Sequence, residues 1–103
     1  MDVSITDLQA ALAEGARLVD VREDDEYASG HVAGAEHVPM RTVPAHLDEL
    51  RGDGTLYVIC AVGARSGVVA EFLEGQGVSV VNVDGGMQAW LRAGLPVETG
   101  PAG

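Results

Sequence analysis

The stretch Leu56–Leu73, LYVICAVGARSGVVAEFL, holds the chain's only cysteine and changes character twice within its length. Leu56 to Ile59 form an apolar run of the kind that suits a strand buried on both faces. Cys60 ends that run. Ala61, Val62, Gly63 and Ala64 follow as a small, flexible loop, then Arg65, and a helix is expected to begin near Ser66. Val68, Val69, Phe72 and Leu73 would form its apolar face, with Gly75 or Gly77 as the stop. A buried strand leading through a glycine loop into a helix is half of a strand–helix–strand crossover. In parallel sheets made of such units, ligands bind beyond the carboxyl ends of the strands. Cys60 stands at such an end.

The rest of the chain repeats this alternation. Toward the C-terminus, VSVVNV (Val78 to Val83) is a second apolar run. In GGMQAWLRAGLP after it, Met87, Trp90 and Leu91 share a helix face, Gly94 stops the helix and Pro96 forbids its continuation. Toward the N-terminus, TDLQAALAEG reads as a short amphipathic helix with Thr6 as N-cap, Gln9 three residues on, and Gly15 as the stop. Arg17 to Val21 reads as a strand, the acidic REDDEYASG as a helical turn broken at Gly30, and Ala35 to Pro39 as holding a shorter strand. Val43, Leu47 and Leu50 have helical spacing, and RGDG after them is read as a turn rather than an adhesion motif. Strands and helices alternating in this way predict an α/β fold with a parallel sheet covered by helices on both faces. The prediction is one domain over 1–103, with its core at about 4–97 and a flexible tail at 98–103.

Composition narrows the function. A chain of 103 residues makes one core, and at 47% apolar but only 4% aromatic residues that core is aliphatic. Six basic against sixteen acidic residues leave a formal net charge of −10, which repels nucleic acid and anionic membrane surfaces. A single cysteine excludes an intramolecular disulfide, and the spacing of His31, His37, His46 and Cys60 matches no zinc pattern, so no metal site is expected. No apolar stretch approaches the ~20 residues of a membrane span, and the N-terminus has no basic leader region. A free thiol fits a reducing compartment, and the expected location is cytoplasmic.

The segment from Cys60 to Ser66 carries the chemistry. A thiol is nucleophilic as its anion, and an isolated cysteine near neutral pH is mostly protonated. Three features would favour the anion here: the charge of Arg65, the amides of Ala61, Val62, Gly63, Ala64 and Ser66, and the positive end of the helix. Gly63 allows a backbone conformation closed to other residues, so the amides can turn inward as a cradle. Such a cradle would hold a thiolate, an outer sulfur bonded to it, or a tetrahedral anion. Cysteine-dependent phosphatases carry C-x5-R around a phosphate. Here the spacing is C-x4-R, and the smaller ring suits one sulfur atom better than a phosphoryl group. The plain alternatives are a buried structural cysteine at a strand end and a solvated arginine at a helix start.

Four segments, in order, resemble the rhodanese family from about Thr6 to Pro96. LVDVRE (Leu18 to Glu23) is similar to the family's second strand, and EYASGHVAGAEHVP (Glu26 to Pro39) to its E-x3-GH-[IV]-x-GA-x-[NH]-[IV]-P segment. VICAVGARS resembles the six-residue active-site loop, Cys60 to Arg65, and VDGGMQAWLRAGLPV the closing G-G-x3-W-x3-G-x-P segment. The resemblance implies a single rhodanese-like domain with a sheet of about five mostly parallel strands. It also implies a sulfurtransferase in which Cys60 takes sulfane sulfur from a donor and passes it on as a persulfide. On this analogy the loop amides hold the outer sulfur and Arg65 helps to bind a small anionic donor such as thiosulfate. Cyanide, a thiol or a protein sulfur acceptor would receive the sulfur, without metal or organic cofactor.

Asp20, Arg22 and His31 also fall in matched segments. Asp20 and Arg22 are expected to pin loops through ion pairs rather than to line the site, and His31 to anchor a loop rather than act as acid or base. Gly85 and Gly86 read as a tight strand-to-helix turn, lacking the dinucleotide-binding pattern. Trp90 reads as core. Two other functions stay open at this point: a non-enzymatic module that carries sulfur or senses oxidants at Cys60 while docked on a protein partner, and arsenate reduction or phosphatase action.

Overall fold

The apolar runs at Leu56 and Val80 become interior strands of a five-stranded sheet in the computed structural model, which describes residues 1–101. The strands are β1 (Asp2–Val3), β2 (Arg17–Asp20), β3 (Glu36–His37), β4 (Leu56–Ile59) and β5 (Val80–Val83). They lie in the order β1-β5-β4-β2-β3, and every neighbouring pair is parallel. The helices are α1 (Ile5–Ala13), α2 (Asp24–Ser29), α3 (Leu47–Leu50), α4 (Ala64–Gly75) and α5 (Gly86–Arg92). A 3-10 segment, Met40–His46, precedes α3. Pro44 inside it supplies no N–H, and regular α-helix begins only after it, at Leu47.

Alternation along the strands divides the core into two layers. Val19, Val58 and Cys60 face α4 and the segment around α3, packing with Val43, Leu50, Val69 and Leu73. Leu18, Ile59 and Val83 face the other way, against Leu8 of α1, Tyr27 of α2, and Met87 and Trp90 of α5. Helices therefore cover both faces, as expected. Register aligns Val19 with Val58 and Val58 with Asn82, so one polar side chain, Asn82, sits in the row that faces α4. It is 5% exposed.

Several local expectations need correction. The N-cap of α1 is Ser4, not Thr6: the Ser4 hydroxyl accepts from the Asp7 N–H at 3.1 Å and the Asp7 carboxylate accepts from the Ser4 N–H at 3.4 Å. The short edge strand β1 before it has no sequence signal of its own. α4 begins at Ala64, two residues before Ser66, which places Ser66 inside its first turn. Val68 and Phe72 of α4 and Leu91 of α5 point outward; the buried stripe of α4 is Ser66, Val69, Ala70 and Leu73, the i, i+3, i+4, i+7 pattern of one helix face. Part of the expected flexible tail is docked. Glu98 and His31 exchange backbone hydrogen bonds at 2.8 and 2.9 Å, and the Gly100 N–H reaches the Ala28 carbonyl. Ala102 and Gly103 lie outside the described residues.

Candidate active site

β4 delivers Cys60 to the base of α4 with its side chain wholly buried. The backbone turns over Gly63, whose φ of 102° lies in the left-handed region that favours glycine, and α4 starts at the next residue. Gly63 has no side chain with which to cap the helix. The sulfur sits at that end of the helix: Sγ accepts from the Gly63 N–H at 3.1 Å and lies 3.2 Å from the Ser66 hydroxyl, a donor available to it.

Two glycines hold the loop from behind. α5 opens with Gly85 and Gly86, both with positive φ. The N–H groups of Met87 and Gln88 bind the carbonyls of Cys60 and Ala61, each at 2.9 Å. A Cβ on Gly86 would lie 2.3 Å from the Cys60 carbonyl oxygen, so any side chain there would push the loop away. With the Cys60 and Ala61 carbonyls bound by α5 and the Gly63 carbonyl by Asn82 and the Gly67 N–H, the loop is left with amides to offer the sulfur. Gly85 and Gly86 are the tight turn expected of them, and they also seat the loop.

Burial pushes the Cys60 thiol up. The Ser66 hydroxyl and the N–H groups of Ser66, Gly63 and Val62 outweigh burial, and the thiol lies below its ordinary value. No hydrogen bond from the Ala61 or Ala64 amide reaches the sulfur. Arg65 does not touch it either. Its guanidinium grips Glu26 of α2 with two parallel bonds of 2.7 and 2.8 Å, both side chains about one-third exposed. Hydrogen bonds from this guanidinium hold the Glu26 carboxyl down to about 2, and Glu26 in turn raises Arg65 above its ordinary value.

The sequence profile of the rhodanese-like domain matches residues 4–93, which span the strand, loop and both glycine turns just described. The chain belongs to the rhodanese-like sulfurtransferase family. It is 44% identical over 73 residues to the putative sulfurtransferase YtwF of Bacillus subtilis, covering 71% of each chain. It is 40% identical over 91 residues to the thiosulfate sulfurtransferase GlpE of Pseudomonas entomophila, covering 87% of this chain and 83% of that one. The crystal structure of a rhodanese-related protein from Thermoplasma volcanium superposes with a TM-score of 0.88 at 33% identity, over 94% of this chain and 96% of the other.

In this rhodanese domain Asp20, Arg22 and His31 direct their side-chain hydrogen bonds to groups other than the sulfur. Arg22 binds the fully buried Asp20 carboxylate through Nε and a terminal nitrogen at 2.8–3.1 Å, and that terminal nitrogen also holds the Gly30 carbonyl at 2.7 Å. The pair thus ties the end of β2 to the end of α2. His31 donates from Nδ1 to the Tyr27 carbonyl at 2.8 Å and stacks on the Tyr27 ring with centroids 3.7 Å apart. His37 stacks on the same ring at 4.3 Å, and the two imidazoles are too close to it to share one side, so the tyrosine is sandwiched. Trp90 is core, with its indole N–H on the Pro96 carbonyl at 2.9 Å.

The sequence reading missed three contributors. The Ser66 side chain matters beside its amide. Glu26 answers the question of why an arginine sits at a helix N-terminus, where the dipole disfavours it; a counter-charge had to exist, and the acidic run Asp24–Glu26 was the place to look. Asn82 binds both Ser66 and, through Nδ2 at 3.1 Å, the Gly63 carbonyl. Its signal was a polar residue within an interior apolar strand, which must find partners.

Proposed function

We propose that this rhodanese domain moves sulfane sulfur through a persulfide on Cys60, taking it from thiosulfate or another persulfide and giving it to cyanide or a thiol. The observation that carries this reading is the buried sulfur at the start of α4, met by the Gly63 N–H and the Ser66 hydroxyl and lowered in pKa despite its burial. Cys60 is the nucleophile. Its thiolate attacks the outer sulfur of the donor; the donor's S–S bond breaks with its electron pair leaving on sulfite or on a thiolate. The enzyme is then a Cys60 persulfide whose negative charge rests on the outer sulfur. The loop amides of Ala61 to Ser66 stabilise that charge. An acceptor attacks the outer sulfur, takes it, and returns the thiolate, so the kinetics are ping-pong.

Arg65 has a narrower role than binding a free dianion. Its charge is matched by Glu26, and its two-point grip holds α2 against the start of α4. Thiosulfate is then a serviceable donor rather than a preferred one. A persulfide carried by a small thiol or by a protein needs less positive charge, in a reducing cytoplasm where such thiols occur.

Mass spectrometry after incubation with thiosulfate tests the reading. Cys60 should gain the mass of one sulfur atom, cyanide should remove it, and Cys60→Ser should abolish both events. A protein that stays unmodified at Cys60 with thiosulfate and with a small-molecule persulfide would overturn it. Stoichiometric loading without turnover would instead favour the carrier role, and hydrolysis of an aryl phosphate the phosphatase one.

A further inference from the structure

The Ser66 hydroxyl has one hydrogen and faces two acceptors. Its oxygen lies 3.2 Å from Cys60 Sγ and is hydrogen-bonded to Asn82 Oδ1; Ser66 and Cys60 are wholly buried and Asn82 nearly so. The Asn82 amide is not free to turn. Nδ2 donates to the Gly63 carbonyl at 3.1 Å, and a flipped amide would set Oδ1 against that oxygen. Oδ1 therefore faces Ser66.

The two protonation states of Cys60 use this arrangement differently. As a thiol, Cys60 donates S–H to Ser66 Oγ, whose own O–H donates to Asn82, and each group is satisfied in series. As a thiolate, Cys60 receives the Ser66 hydrogen only if Asn82 Oδ1 gives it up and is left buried without a donor, which is costly. With a second sulfur attached, Sγ is uncharged and holds no proton, and the hydroxyl can return to Asn82.

We propose that Asn82 is a positioning residue that sets the direction of the Ser66 hydroxyl hydrogen, drawing it away from the sulfur and so limiting how readily the resting thiol becomes an anion. The Ser66 hydrogen is then given to the sulfur only while the sulfur is charged. Of the charges on the neighbouring elements, Asp20 at the end of β2 is paired with Arg22 and Glu26 of α2 with Arg65 of α4, while Asp24 and Asp25 of α2, Glu71 and Glu74 of α4 and Asp84 beyond β5 are exposed. Replacing Asn82 changes none of them.

The test is the pH dependence of Cys60 alkylation by iodoacetamide, a readout that does not depend on sulfur transfer and so fails or succeeds separately from the function proposed above. Asn82→Ala should move the midpoint down and raise the alkylation rate on the acid side by about three- to tenfold. Ser66→Ala should move the midpoint up. In the Ser66→Ala background, Asn82→Ala should leave it unchanged, because the effect runs through one hydrogen. Asn82→Leu, which refills the space, should reproduce the downward shift if the alanine variant loosens the loop. A midpoint that rises or stays put in the Asn82 variants, or that shifts equally with and without Ser66, would overturn the proposal, since Asn82 would then act only through its hold on Gly63.

Discussion

At the sulfur itself, burial and hydrogen bonding pull in opposite directions, and the direction of the Cys60 shift shows that the donors win. Ser66 is the strongest of them. Ser66→Ala should therefore reduce sulfur loading of Cys60 near neutral pH by about tenfold, the value of one hydrogen bond to a charged group, and higher pH should recover most of the loss. Loading rates measured between pH 6 and 10 check this, and a loss that pH does not recover would mean that the hydroxyl shapes the loop instead. Gly86 makes the steric case. An alanine there would meet the Cys60 carbonyl at 2.3 Å and would need a positive φ of 53°, so Gly86→Ala should nearly abolish transfer and cost about 1–3 kcal/mol of stability. Thermal unfolding with a loading assay reads both. The requirement for glycine here could be seen in the sequence as a turn, but not as a contact with the loop.

Among the elements, the link that matters is the one between α2 and α4. With Glu26 held near 2 against an ordinary carboxyl value of 4.5, its folded-state value is depressed. The stabilisation it brings is thus complete above pH ~4.5 and is lost as the pH falls toward 2. Both side chains are partly open to solvent, so Glu26→Gln should cost no more than about 1 kcal/mol at neutral pH, and the difference from the parent protein should vanish near pH 2. Denaturant unfolding across that range measures it. NMR titration of Glu26 in Arg65→Ala should return the carboxyl toward 4.5; a value that stays near 2 would mean another group holds it. The pairing was not legible from spacing, because Glu26 and Arg65 are 39 residues apart and meet only once α2 and α4 flank the same end of the sheet.

For the whole molecule, the net charge of −10 bears on which donors can approach. All six cations are arginines, and three of them, Arg17, Arg22 and Arg65, are already paired with carboxylates through two or more bonds. A dianion such as thiosulfate meets net repulsion. Its KM should be high and should fall as salt rises from about 0.01 to 0.15 M, where the screening length shrinks from about 30 to 8 Å, while a neutral persulfide donor should show little change. Steady-state kinetics over that range decide it, and a thiosulfate KM that rises steeply with salt would show that local attraction at the loop dominates. The two apolar runs, the glycine loop between Cys60 and the helix, and the closing glycine pair were enough to specify a parallel α/β sheet and a thiol at a strand end, because strand period, glycine conformation and helix stops are local properties of a chain. Which groups touch that thiol was settled by packing. Asn82 and Ser66 are 16 residues apart and belong to different elements, and only the register of β4 with β5 and the seating of α4 on the sheet bring Ser66 to the sulfur and Asn82 to Ser66.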